Sequence, residues 1–360
     1  MPVTPAQMTN GANYQLETYS RDKPMDQFTI AHPFAQWLID HKQESVFSNG
    51  VYNEEVRFTN DSNYQNYDGS DQVSFNHKDT VRKVPFQHYN AHDGFALDET
   101  ELANNGIVLT DDKNAVLTEA EEWQIVNKLQ EGYDTLQEGF QENWNIEVHR
   151  DGTQSSKAVP GLDLLVSMTP TVSQIIGGFD QSLYPWWQNN ASTNSGSGIP
   201  TTAGALITEM EKMWRACIRY GGSAPDFIIA GSTFVDRYRA DSEAGISRYM
   251  PIPPDRKEGV NLDPSVGMGV KTGLYFKGVE IIWDPTMETL ATVTGTANWI
   301  QRCYMLNSKH MRLRPFKGRW MINRKPPRMY DRYVFYFGLT ADYGITVKKR
   351  NSMAVLLCSP

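Results

Sequence analysis

The sequence predicts an α+β chain in which one long helix acts as a spine and strands crowd the C-terminal end. Three observations carry that reading. From Thr118 on, Trp123, Val126, Leu129, Tyr133, Leu136, Phe140 and Trp144 recur at steps of three and four, one apolar stripe on a helix over 118–143. Residues 301–360 read mostly as strand, as in YVFYFGLTADYGITV and MAVLLC. Residues 46–90 form a long hairpin-like excursion with few apolar residues to bury, and a thin hairpin is poorly stable alone.

Taken in order, residues 1–30 are polar and rich in Thr, Asn and Gln, an arm expected to be ordered by docking. A short helix follows over Pro33–Gln43, with Phe34, Trp37, Leu38 and His41 on one side and Pro33 in the tolerated first turn. Alone it is marginal and needs a body to pack on. In the excursion, alternation marks EEVRFT (Val56, Phe58), VSFNHK (Val73, Phe75) and VRKVPF (Val81, Val84, Phe86). The intervening NDSNYQNYDGSD is turn chemistry, and Pro85 suits an edge strand. The spine opens on Thr118-Glu119-Ala120-Glu121, which has capping-box spacing. At 1.5 Å per residue it spans roughly 39 Å. Gly132 and Gly139 inside it each cost about 1 kcal/mol against Ala, which predicts a close backbone crossing or a bend.

Beyond the polar HRDGTQSSK come VPGLDLLVSMTP, then GGFDQSLYPWWQNN and the flexible STNSGSG. Neither helix nor strand points neighbouring side chains the same way. Trp186 and Trp187 therefore predict one ring in the core and one facing a ligand, a second domain or another subunit. A second amphipathic helix, Ala203–Tyr220, turns Leu206, Met210, Met213, Trp214 and Cys217 inward and stops at Gly221-Gly222. PDFIIAGSTFVDRY reads as a buried strand, Phe227–Ala230, then a helix capped by Ser232. GLYFKGVEIIWDPTM reads as a hairpin turning near Lys277-Gly278, with Val279–Trp283 as its second strand.

With 360 residues, 40% hydrophobic and 11% aromatic, the chain holds a packed core in one large domain or two to three modest ones. Cys217, Cys303 and Cys358 lie far apart, fit no metal spacing and read as reduced thiols. MPVTPAQMTNGANYQLETYS lacks an apolar signal core, and no stretch approaches 18 apolar residues, so neither secretion nor a membrane span is expected. Net charge is −8 but unevenly placed: residues 51–150 hold 7 Lys+Arg against 20 Asp+Glu, and residues 301–360 hold 13 against 2. The two segments pair within one fold, or opposite faces of copies meet, or the basic tail binds nucleic acid. The basic residues are spread through strands (RLRPFKGRW, NRKPPR, VKKR), so specific groove reading is not expected.

Few motifs in the chain carry chemistry. SVGMGVKTG has Val270 before Lys271 where a phosphate-binding loop needs Gly, and reads as a flexible glycine loop. His88 and His92, with Asp93 beside them, lack the Glu of a zinc-protease helix; they read as surface or interface histidines, with metal binding the lesser alternative. There is no G-x-S-x-G, no C-x-x-C and no dinucleotide fingerprint. No catalytic residue and no cofactor are assigned.

Five stretches in order resemble the major capsid proteins of tailed double-stranded DNA phages: KVPFQHYNAHDGFALDETELANNG, PGLDLLVS, GGFDQSLYPWWQN, PDFIIAGSTFVDRY and LYFKGVEIIWDPTM. GGFD with YPWWQN after PGLDLLVS is the most specific, and the likeness runs from about residue 30 to the C-terminus. Gln181 and Gln188 stand where Arg is expected in many relatives.

The resemblance implies a Hong Kong 97-like capsid fold: an N-terminal arm (1–45), an extended hairpin loop (46–90), a peripheral domain (91–159) with the spine 118–143, an axial domain (160–299) and return strands (300–360) completing the peripheral domain. Arm and loop then reach over neighbouring subunits. The implied function is a structural shell protein that does no chemistry. It assembles with itself as pentamers and hexamers around packaged double-stranded DNA contacted non-specifically. A separate scaffolding protein and a portal are implied partners, since about 45 residues before the hairpin are too few for a large fused scaffolding domain. Its place is the virion, after assembly in the host bacterial cytoplasm. The alternatives are a shell around protein cargo, which the WW motif disfavours, and an enzyme of unrecognised class. The assembly candidates are Gly177, Gly178, Trp186, Trp187, Phe58, Phe75, Trp37, Gly132 and Gly139. One Trp is expected to pack on the spine side and the other under the loop.

Overall fold

The computed structural model describes residues 30–46, 49–98, 100, 119–220, 223–245, 271–324 and 334–359. In chain order the elements used below are α1 (Pro33–Asp40), β1 (Val51–Arg57), β2 (Val81–Gln87), β3 (Tyr89–Asp98), α2 (Glu119–His149), α3 (Leu162–Leu165), β4 (Ile175–Ile176), β5 (Phe179–Asp180), β6 (Asn190–Ser192), α4 (Ala205–Ile218), β7 (Phe227–Ala230), α5 (Ser232–Gly245), β8 (Lys271–Phe276), β9 (Val279–Trp283), α6 (Thr286–Thr294), β10 (Arg302–Leu306), β11 (Met311–Pro315), β12 (Ile322–Arg324), β13 (Val334–Val347) and β14 (Ala354–Leu357). They divide into two units, one of residues 1–29, 91–143 and 321–341, the other of 30–90, 144–320 and 342–360.

The larger unit is built on a six-stranded sheet ordered β6-β14-β10-β7-β9-β8. FIIA in β7, RCYML in β10 and AVLL in β14 are buried at every position, as strands covered on both faces must be. α4 lays Leu206, Met210, Met213, Trp214 and Cys217 into this core, the stripe expected from its 3.6-residue period. β8 and β9 form the expected hairpin, turning at Lys277 (φ 49°) and Gly278 (φ 85°). Gly231 passes so close to the chain that an added Cβ would stand 2.3 Å from the Ile300 carbonyl oxygen. Helix α5 starts at Ser232, and this serine is its first residue rather than the cap before it.

Residues 300–360 do not all return to one place. β10 and β14 form the middle of the six-stranded sheet with β7, because their side chains are buried on both faces, Arg302 paired with Asp163 at 2.9 Å among them. β11, whose partner β13 runs antiparallel to it, belongs to a second sheet. The short helix α1 ends at Asp40, three residues before the expected stop, where His41 Nδ1 lies 2.8 Å from the Trp37 carbonyl oxygen. Its buried ring Trp37 stacks on Phe227 at 4.9 Å.

In the smaller unit, β12 pairs with β13 through Ile322–Thr340, Asn323–Leu339 and Arg324–Gly338. Phe95, Tyr133 and Phe337 make a ring cluster with centroids 5.1–5.6 Å apart. Gly132 is a close approach to a side chain rather than to the expected backbone, since a Cβ there would lie 2.9 Å from the Phe95 ring. Gly139 is not: nothing lies within 4 Å of where its Cβ would be. The spine helix runs to His149, beyond the expected Asn143, because Val148 and His149 are buried and continue the stripe after Trp144. The Thr118 cap and the side chains of Trp123, Val126 and Leu129 lie outside the described residues, as do the arm 1–29 and residues 265–270 of the glycine loop. Among the described residues, no helix is long and apolar enough to cross a membrane.

Candidate assembly site at the base of the hairpin

The excursion is a true two-stranded ladder only at its base. β1 and β2 pair from Val51–Gln87 to Arg57–Val81, and one further bond joins the Phe58 amide to the Thr80 carbonyl at 3.1 Å. From there to Thr80 no strand forms, so VSFNHK is not the strand its alternation suggested. Two apolar residues in a polar run have no sheet face to join, and the Asn, Asp and Gly around them favour turns. Phe75 is 90% exposed, Tyr64 85% and Tyr67 69%.

The base, by contrast, is seated firmly. β4 and β5 form a minimal hairpin whose two turn residues, Gly177 (φ 60°) and Gly178 (φ 79°), both need positive φ, the signature of a type I′ turn. The turn carries β2: a Cβ on Gly177 would stand 2.2 Å from Val84 Cγ1, and one on Gly178 would stand 3.3 Å from the Pro85 ring. Both substitutions strain the backbone, but Gly177→Ala also forces Val84 out of a site where it is fully buried. Gly177→Ala is expected to lower stability by about 2–4 kcal/mol and Gly178→Ala by about half as much, read from denaturant midpoints. Equal losses would mean that φ alone matters and that the Val84 contact does not.

The adjacent tryptophans sit on one turn of 3₁₀ helix, Pro185–Trp187, and part company there. Trp187 is 1% exposed and its Nε1 donates to the Ile176 carbonyl at 2.9 Å. Trp186 is half-buried among Phe179, Phe58 and Tyr184 at 5.4, 5.8 and 6.0 Å. Phe58 lies just past the end of β1 with the Arg82 guanidinium 5.1 Å above it. Gly177, Gly178, Trp186, Trp187 and Phe58 thus meet at the hairpin base. Phe75 lies out on the excursion, Trp37 packs on Phe227, and Gly132 and Gly139 are in the spine helix.

Under Trp187 lies a residue that composition concealed within the basic VKKR run. Arg350 is fully buried, and its guanidinium donates to four neutral oxygens: Leu165 O (2.8 Å), Trp187 O (2.8 Å), Gln181 Oε1 (3.0 Å) and Asn189 Oδ1 (3.0 Å). Burial lowers its pKa to about 9, so it stays charged at neutral pH. This explains Gln181, where Arg was expected. A second guanidinium there would face Arg350, whereas the amide accepts from it and donates to Thr169 O and Val172 O at 3.1 and 3.0 Å. The Gln188 amide in turn donates to Gln181 O at 2.8 Å.

Asp180, the acid of GGFD, ties the turn together. Its carboxylate accepts from Ser173 Oγ (2.6 Å), the Ser182 amide (2.9 Å) and hydroxyl (2.9 Å), and the Gln174 amide (3.3 Å). These donors, the Ser173 hydroxyl foremost, lower its pKa from 3.8 to about 2. A depressed carboxyl pKa stabilises the fold above the unfolded value and ceases to do so as pH falls through about 2. Carboxyl-carbon NMR should therefore find Asp180 still ionised at pH 3; a midpoint near 4 would refute the bonding scheme.

A second anchor holds β1. Glu54 and Arg314 are both 3% exposed and pair at 2.9 Å. Lys348 Nζ lies 3.3 Å from the other Glu54 oxygen, Thr346 Oγ1 donates to Glu54 at 3.1 Å, and the Arg314 guanidinium sits 4.7 Å above the Tyr52 ring. Opposite charges from the acidic and basic segments do meet within the fold here. No group of three or more His, Cys, Asp and Glu is placed to hold a metal among the described residues. His88 Nδ1 lies 3.2 Å from Gly50 O, and Lys271 opens β8 rather than a phosphate loop.

No family model matches this chain, and no curated protein does. Solved structures do. A chain of the cyanophage A-1(L) capsid aligns over 94% of this chain and 96% of its own, at 12% identity and a TM-score of 0.63. The chain has the Hong Kong 97-like capsid fold. The capsid of Myoviridae phage XM1 matches over 95% and 97% (12% identity, TM-score 0.50), and Mycobacterium phage Ogopogo over 95% and 98% (9%, 0.50). These alignments run nearly end to end. Sequence reasoning missed Arg350 and the Glu54–Arg314 pair. Neither carried a local signal, since Arg350 follows Lys348 and Lys349 and Glu54 stands between Asn53 and Glu55.

Proposed function

We propose that this chain is a structural major capsid protein that self-assembles into the icosahedral head shell of a tailed phage around double-stranded DNA. The observation that carries the reading is the hairpin. Its base is locked by Gly177, Arg350 and Glu54, while Tyr64, Tyr67 and Phe75 stand exposed on a tip with no core. Such a tip is stable where copies cover it. The end-to-end capsid fold supports the same reading. In this proposal residues 1–45 serve as the arm, 46–90 as the extended loop, 91–159 with the spine as the peripheral domain and 160–299 as the axial domain. Pentamers and hexamers assemble in the host cytoplasm with a separate scaffolding protein and a portal, and the shell meets its DNA non-specifically in the virion.

The test is expression with and without the candidate scaffolding protein, followed by sedimentation and negative-stain electron microscopy. Closed shells tens of nanometres across are expected by analogy with multivalent containers. Replacing Tyr64, Tyr67 and Phe75 together by Ser should lower shell yield about tenfold or more while leaving subunit melting within about 2 °C, since exposed side chains contribute little in cis. Small oligomers alone, at every salt concentration and with either partner state, would overturn the proposal.

A further inference from the structure

We infer that the basic end of the β11–β13 ladder is a docking seat for the acidic face of the spine helix of a second copy of this chain; the inference rests on the shell reading above. Arg312 stands opposite Thr346 and Met311 opposite Val347, and the Lys348 amide donates to His310 O at 2.9 Å. This register brings Lys309, Arg312, Lys348 and Lys349 around His310. Burial, then the charges of Lys349, Lys309, Arg312 and Lys348, hold the His310 imidazole below its usual range. The carboxylate that answers them is Glu54, and it is shared between Lys348 and Arg314. Among the described residues, Arg312 reaches only the Gln43 side-chain oxygen, and Lys349 only the Tyr220 carbonyl. Lys309 is exposed, without an ion pair among the described residues. Several cations gathered at one corner with one shared carboxylate among the described residues leave it short of an anion.

The spine helix has the opposite deficit. Glu131, Asp134, Glu138 and Glu142 follow at steps of three and four along one face, three of them exposed and the last half-buried. None makes an ion pair among the described residues, and like charges at that spacing weaken a helix. Neighbours on a helix face stand about 5–6 Å apart, so the spine offers several carboxylates in one row to the cations of the seat. Three exposed acids of the hairpin fit less well because they are already engaged. Asp68 accepts the Gly69 amide at 2.8 Å, Asp71 accepts the Asp68 amide at 2.9 Å, and Asp79 pairs with Arg82 at 3.5 Å. One surface pair contributes little, but the contact recurs in every copy of a shell.

Charge exchange tests it. Lys309→Glu/Arg312→Glu and Asp134→Lys/Glu138→Lys should each lower shell yield about tenfold or more at 0.15 M salt, and the quadruple variant should recover most of it. Subunit melting should stay near wild type in all three. A quadruple variant no better than the worse double overturns the proposal, as do doubles that assemble like wild type. Recovery with Asp68→Lys/Asp71→Lys in place of the spine pair would assign the seat to the hairpin and overturn it too. Unchanged assembly with less co-purifying nucleic acid would assign it to a nucleic acid. If wild type forms only small oligomers, the shell reading fails by itself, and the same exchange is then read on those oligomers. A monomer at every salt concentration overturns both.

Discussion

Arg350→Ala should destabilise the isolated subunit by about 4 kcal/mol or more, roughly 10 °C in Tm. The substitution leaves Leu165 O, Trp187 O, Gln181 Oε1 and Asn189 Oδ1 buried without their donor, each worth about 1–3 kcal/mol when unsatisfied, and opens a cavity under Trp187. Arg350→Lys should recover little, because an ammonium presents three donors from one point whereas the guanidinium spreads its donors over a plane. The exposed Lys309→Ala is the control, with a change within about 0.5 kcal/mol. Urea unfolding of the unassembled subunit decides. A loss below about 1 kcal/mol for Arg350→Ala would mean that water replaces the guanidinium and that the junction is not held by it.

Glu54→Ala should cost about 3–5 kcal/mol, since it strands the buried Arg314 charge and frees Lys348. Removing both partners as Glu54→Ala/Arg314→Met should be milder than the single change, because no uncompensated charge then remains buried. The position on β1 adds a second readout. With the pin removed, limited proteolysis within residues 58–80 should quicken at a temperature where the rest of the subunit stays folded. A double variant worse than the single would show that the pair stabilises outright, contrary to this account.

Both predictions concern residues that periodicity does not reveal. The stripe of α4, the buried run of β7 and the Lys277-Gly278 turn were legible because each depends on neighbours within a few positions. VSFNHK failed as a strand for the converse reason: alternation describes a face, but a strand also needs a partner, and none lies beside residues 73–78. Gly139 failed similarly, since a glycine in a helix permits a close crossing without requiring one. Of the site, Gly177, Gly178, Trp186 and Trp187 could be picked out as residues unusual for their setting. Their assembly with Phe58 and Val84 could not, because it joins segments some 90 to 130 positions apart.

The sequence by itself determined the α+β class, the spine, the short buried strands and the polar excursion, all of which follow from local spacing and from what each segment has to bury. The tertiary structure alone decided which charges are interior. Arg350 meets acceptors 161 to 185 positions away and Arg314 meets Glu54 across 260, and burying a charge is tolerable only when such distant partners arrive together. It also decided that the strands of residues 301–360 divide between two sheets, because an apolar strand joins whichever sheet can cover both of its faces.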